Sequence, residues 1–262
     1  MGHQRLGKLP AYSSLPEIIK FLVDGGTPTA DLVEHITDLS KNALKDAIND
    51  PVFIKAFWLL LRIPQAMAQE DAAVALKEIG LEGGGYATVA DVLVDFNEAL
   101  ERVQRTSDKS IGDLGELARQ AALSAMGKSI RENLPTLWDA SAEDVRAAMK
   151  RMYSTEQFGA VAHEFMANFT GRLIHYFIDR NLHEMVGLDR VSPSIHDIKN
   201  FKSAITRHSH EAALIMRGFA KDWMGKNHFH GGMEVTEKSM RGFVSYVVTK
   251  LQAELEARKE PT

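Results

Sequence analysis

The chain has 262 residues, 45% apolar and 25% charged, with a net charge of −4 and no cysteine. That apolar share suffices for a sizeable core, and the missing cysteine excludes disulfides, thiolate catalysis, iron–sulfur clusters and cysteine-ligated zinc. No apolar run reaches the roughly 20 residues that span a bilayer, and "MGHQRLGKLPAYSSLPEI" lacks the apolar core of a signal peptide, so a cytoplasmic chain without membrane contact is expected.

Nearly every segment repeats its apolar residues at helical period, and none alternates as a strand does. "SSLPEIIKFLVDGG" has serine caps, an early proline and a Gly25-Gly26 stop; "TPTADLVEHITDLSKNALKDAIND" ends at Asp50-Pro51. "PVFIKAFWLLLRIPQAMA" is apolar nearly all round, which predicts a buried central helix that Pro64 kinks or ends. "EDAAVALKEIG" is a short helix stopped at Gly80, and "TVADVLVDFNEALERVQ" starts from a Thr88 cap. The polar stretch "RTSDKS" at 105–110 is the best internal boundary. It separates an acidic N-terminal lobe, 1–104, from a C-terminal long-helix bundle, 105–262, which together form one continuous domain or two lobes.

Beyond the boundary lie "DLGELARQAALSAMGKSIREN" and "SAEDVRAAMKRMYS", the latter with Ser141 and Asp144 placed as a cap pair. Three long helices follow, near 155–186, 194–224 and 236–258, the last capped by Thr236. The expected fold is all-α, a bundle of about nine to eleven helices with the three long C-terminal ones packed together.

The helix near 155–186 carries the most informative pattern. Its stripe of Phe158, Ala162, Phe165 and Phe169 continues in register as Arg172, Tyr176, Asp179 and His183. An arginine, an aspartate and a histidine on a core-facing stripe must be paired or border a cleft. Three readings are open: a structural network between helices, a subunit interface through Arg172, Tyr176 and Asp179, and a catalytic cleft. In the cleft Asp179 orients His183, Arg172 holds an anion, and His208 joins from the next helix.

The remaining histidines give weaker signals. His208 shares the stripe of Ile198, Phe201, Ile205, Ala212, Ile215, Phe219 and Trp223, whereas His210 points about 200° away from it. In "KNHFHGGMEV", His228 and His230 lie between Gly225 and the Gly231-Gly232 pair, which reads as a loop after a helix stopped at Gly225. An extended His-x-His can bind metal, but Glu234 and Asp222 have no fixed placement as a third ligand, so no cofactor is expected. His163-Glu164 begins like a zinc-protease helix, yet Ala167 stands where the second histidine belongs. "RNLHEM" sets His183 too close to Arg180 for the arginine–polar–histidine spacing of helical ribonucleases. Walker-type loops, Gly-x-Ser-x-Gly and Gly-x-Gly-x-x-Gly are absent.

Without a complete catalytic set, the favoured function is a non-catalytic interaction or scaffold subunit of a multi-protein, bacterial assembly, with a protein partner. The alternative is a helical phosphodiesterase or nuclease using the Arg/Asp/His cleft. A second alternative, a nucleic-acid-binding subunit, rests on charge: residues 1–104 carry −6 and residues 190–262 carry +4.

Overall fold

The computed structural model describes residues 44–82, 85–107, 112–136, 140–182, 203, 206–207, 209–229 and 235–257. The helices expected in 1–43, the 183–186 end of the first long helix and the start of the second lie outside these residues. Within them there is no strand, and nine helices are present, inside the range the sequence predicts. Eight define the architecture: α1 Pro51–Met67, α2 Ala72–Glu78, α3 Val89–Thr106, α4 Asp113–Glu132, α5 Ala142–Arg151, α6 Thr155–Leu182, α7 Ile215–Phe229 and α8 Glu237–Ala257.

Helix α1 is the axle of the bundle and packs against α2, α3, α4, α5, α6 and α8. Its near-continuous apolar sequence has this consequence: Val52, Phe53, Ile54, Phe57, Leu59, Leu60 and Ile63 are all buried. Asp50 caps it, accepting from the backbone N–H groups of Val52 at 2.8 Å and Phe53 at 3.2 Å. Burial pushes the Asp50 carboxyl up, and the two backbone donors pull against that shift. The cap is buried because α4 crosses it at Gly115, where an added Cβ would lie 3.3 Å from both carboxylate oxygens. Pro64 falls in the last turn of α1, which closes at Met67.

Local signals place the other helix ends. Thr88 with Asp91, and Ser141 with Asp144, form full capping boxes at α3 and α5. The Thr236 hydroxyl accepts from the Ser239 N–H at the start of α8. Gly80, at φ 91°, turns the chain after α2, and Arg102 donates to its carbonyl; Arg151 does the same for Asn133 after α4.

The three long C-terminal helices do pack together. Helix α7 lies against both α6 and α8, and Phe158 of α6 meets Phe243 of α8 with ring centroids 6.2 Å apart. The predicted stripe of α8 is buried at Met240, Phe243, Val244, Val247, Val248 and Leu251. One continuous cluster of buried side chains runs from Leu44 to Leu251.

The second long helix differs from expectation in two ways. It is interrupted by a turn at Ala213–Leu214, where N–H groups bond three residues back: Leu214 to Glu211 and Met216 to Ala213. The turn shifts the register, so Ala212, Ala213, Met216, Ala220 and Met224 are buried while Phe219 and Trp223 are only half-buried. The helix also runs through Gly225 to Phe229. Gly225 has no positive φ, so it does not stop the helix, and the loop expected from there onward begins later; His228 is helical.

Candidate functional site

The polar half of α6 faces α4. Arg172 is half-buried; its Nη1 donates to Gln120 Oε1 at 3.1 Å and its Nη2 to Ser124 Oγ at 2.9 Å. Tyr176 donates its hydroxyl proton to the Asp113 carboxylate in the first turn of α4. Asp113, Gln120 and Ser124 fall at spacings of seven and four residues, so α4 offers them along one face. Small residues beside them, Ala118, Ala121, Ala122 and Ala125, are fully buried and let the two helices approach. The polar stripe continues the α4–α6 packing with hydrogen bonds where the phenylalanine stripe ends.

Arg172 and Tyr176 are therefore engaged within the chain, while Asp179 is exposed on the same helix. His183, His208 and His230 lie outside the described residues, as does the side chain of His228. Among the described residues no three His, Asp or Glu side chains gather as metal ligands.

The structure joins two histidines that sequence spacing gave no reason to join. His163 Nε2 lies 2.9 Å from the carbonyl oxygen of His210, and the rings meet edge to face at 5.7 Å. The neighbouring Glu164 binds Lys128 of α4 at 2.5 Å and Asn168 at 2.9 Å. Burial pushes the Glu164 carboxyl up, but Lys128, with His210 and Asn168, overcomes this and holds it below the ordinary value. No local motif links residues 47 positions apart; only the antiparallel path of α6 and the chain after 206 brings them together.

Two surface clefts lie among the described residues. One, of ≈ 620 Å³, lies between the end of α1 and α2, with Arg62 Nη1 donating to Gln65 Oε1 at 3.1 Å on its wall. The other, of ≈ 430 Å³, gathers Glu82, Asp91, Asp95 and Glu98 around Tyr86. Its carboxylates hold the local chain. Asp95 accepts from the Tyr86 hydroxyl at 2.8 Å and the Glu82 N–H at 3.1 Å, and Asp91 closes the α3 capping box. Burial, with Asp95 alongside, pushes the Tyr86 phenol far up and keeps it protonated as the donor.

At the surface of α7 and α8, Tyr246 is 51% exposed. Its ring stands edge to face on Phe219, centroids 5.4 Å apart, and the Lys250 ammonium lies 5.7 Å from the ring centre. The sequence signal for this platform was the stripe carrying Phe219; the register shift at Ala213–Leu214 moved that ring toward the surface.

Comparison with family models, curated proteins and solved structures gives no match. The functional reading rests on geometry.

The Arg172 network makes one direct prediction. Arg172→Met keeps the apolar stem and removes both hydrogen bonds, so it should lower unfolding free energy by about 1.5–3 kcal/mol, the range for hydrogen bonds to a charged group. Urea unfolding with an unchanged m-value measures this. Full retention of stability would leave the α4–α6 contact without a structural role for Arg172.

Proposed function

We propose that the chain is a helical interaction subunit that docks a partner protein through the outer surface of α7 and α8, in a cytoplasmic, bacterial assembly. The observation that carries the reading is the half-exposed Tyr246, braced by Phe219 and approached by Lys250. An aromatic side chain held rigid by a second ring loses little conformational freedom on binding, and tyrosine is a recurrent anchor at protein interfaces. Arg172, the anion-holding member of the catalytic alternative, is taken up by Gln120 and Ser124, and Tyr176 of the interface stripe is taken up by Asp113, so the proposed docking surface lies on α7 and α8 rather than on α6.

The test is affinity purification of the tagged protein from its own cells, beside a Tyr246→Ala variant of equal thermal stability. A stoichiometric partner is expected with the wild type, held about 30-fold more weakly by the variant, as for loss of an anchor of about 2 kcal/mol. A partner-free wild-type protein, or a partner retained equally by both, would remove this reading.

A further inference from the structure

Helix α6 and the chain from 206 onward run antiparallel, and several contacts that hold 206–214 against α6 are polar. His175 Nε2 lies 3.3 Å from Thr206 Oγ1. Ser209 is fully buried over Gly171, where an added Cβ would be 3.7 Å from its hydroxyl. The Ser209 hydroxyl has no hydrogen-bond partner among the described residues, and neither has that of the buried Thr170. His163 reaches the carbonyl of His210. The apolar side chains that Ala212 and Ala213 bury here are small. Two of these contacts are made by imidazoles, and the seam has none of the large rings that join α6 to α1.

The proton inventory at His163 is definite. A carbonyl oxygen only accepts, so Nε2 carries the hydrogen and Nδ1 is bare in the neutral ring. A second proton must enter at Nδ1 and makes the ring a cation. The groups facing it are His210 from the docked segment, Arg217 from α7 and Glu164 from α6. Glu164 is already neutralised by Lys128 of α4. The new charge therefore enters beside an arginine and a second imidazole, and the carboxylate acting on it, Glu164, is already paired with Lys128; Glu211 of the same segment is exposed.

We propose that this seam is an acid-operated latch, in which protonation of His163 releases residues 209–214 from α6 while the α1-centred core stays folded. The turn at Ala213–Leu214 is the hinge, since the helical ladder there is already interrupted. The proposal stands independently of any partner at Tyr246.

Two effects of the added proton oppose each other. It strengthens the bond from Nε2 to the carbonyl, and it places a cation in a half-buried site. Burial is the larger: it draws the His163 imidazole below the ordinary 6.5, beyond what the His210 carbonyl and Glu164 restore. With the closed-state value depressed, the latch is fully closed above pH 6.5. It weakens as pH falls from there through the closed-state value.

Hydrogen exchange read by mass spectrometry, corrected for intrinsic rates, tests this on the full chain. Between about pH 7.5 and about pH 5.5, protection of 209–214 should fall, by at most about tenfold, while that of α1 stays constant. In His163→Gln, whose amide can still donate to the carbonyl, that pH dependence should vanish. Should the variant fail to fold, imidazole NMR of the wild type decides: His163 must titrate below 6.5, together with the amide shifts of 209–214. Protection that is flat or rises on acidification, an equal fall in the variant, or amide shifts unlinked to His163 would overturn the latch.

Discussion

Replacing Phe57 with alanine should destabilise the protein by about 3–5 kcal/mol, a large share of the roughly 5–15 kcal/mol that holds a domain together. Phe57 is fully buried near the middle of α1. Its ring meets Phe165 at 5.1 Å and Phe158 at 6.2 Å from α6, and Phe243 at 5.7 Å from α8, each edge to face. Truncation removes three aromatic contacts and opens a cavity bordered by rings, which cannot collapse without moving three helices. Chemical denaturation should show the midpoint falling in one cooperative transition. A loss below about 1 kcal/mol would contradict the central place given to α1.

The second large effect comes from adding a single carbon. In Gly159→Ala the new Cβ would stand 2.7 Å from the Arg217 carbonyl oxygen, a backbone atom that no side-chain rotation can move. Helices α6 and α7 must separate, at about 1–3 kcal/mol in the range seen for overpacked cores. Gly218 and Gly242 provide the control. Both are helical, and a Cβ added at either meets nothing within 4 Å. Alanine there should stabilise by about 0.5–1 kcal/mol, because it removes the backbone entropy that glycine loses in a helix. Thermal melts of the three variants should thus move in opposite directions. A neutral Gly159→Ala would mean that the α6–α7 crossing is looser than described.

The sequence made some levels of this structure legible and hid others. Caps were readable because they are local: Thr88, Ser141 and Thr236 sit where a side-chain oxygen reaches a free N–H two or three residues on. The burial of α1 was readable because it is apolar on every side. The ends of α7 were not. Glycine before a polar stretch is an ordinary stop signal, yet Gly225 continues the helix, and the turn at Ala213–Leu214 has no glycine or proline to announce it. The polar stripe of α6 was visible as a stripe, but its partners Asp113, Gln120 and Ser124 belong to another helix, and periodicity within one helix cannot name them. For the same reason His163 and His210 looked unrelated.

The bond that fixes Trp58 has a consequence in time. Trp58 Nε1 donates to the carbonyl of Val235 at 2.7 Å, and Lys55, stacked over the same indole at 4.0 Å, pairs with Glu237 at 2.8 Å. The partners of this hub are separated by 182 residues in the second case. A ribosome adding roughly 5–20 residues per second takes about 9–36 s to cross that interval. For most of it α1, apolar on nearly every side, is already made while the segment that covers one of its sides does not yet exist. The nascent chain must shield α1 without the side that α8 supplies, or be shielded by something else, until α8 leaves the tunnel.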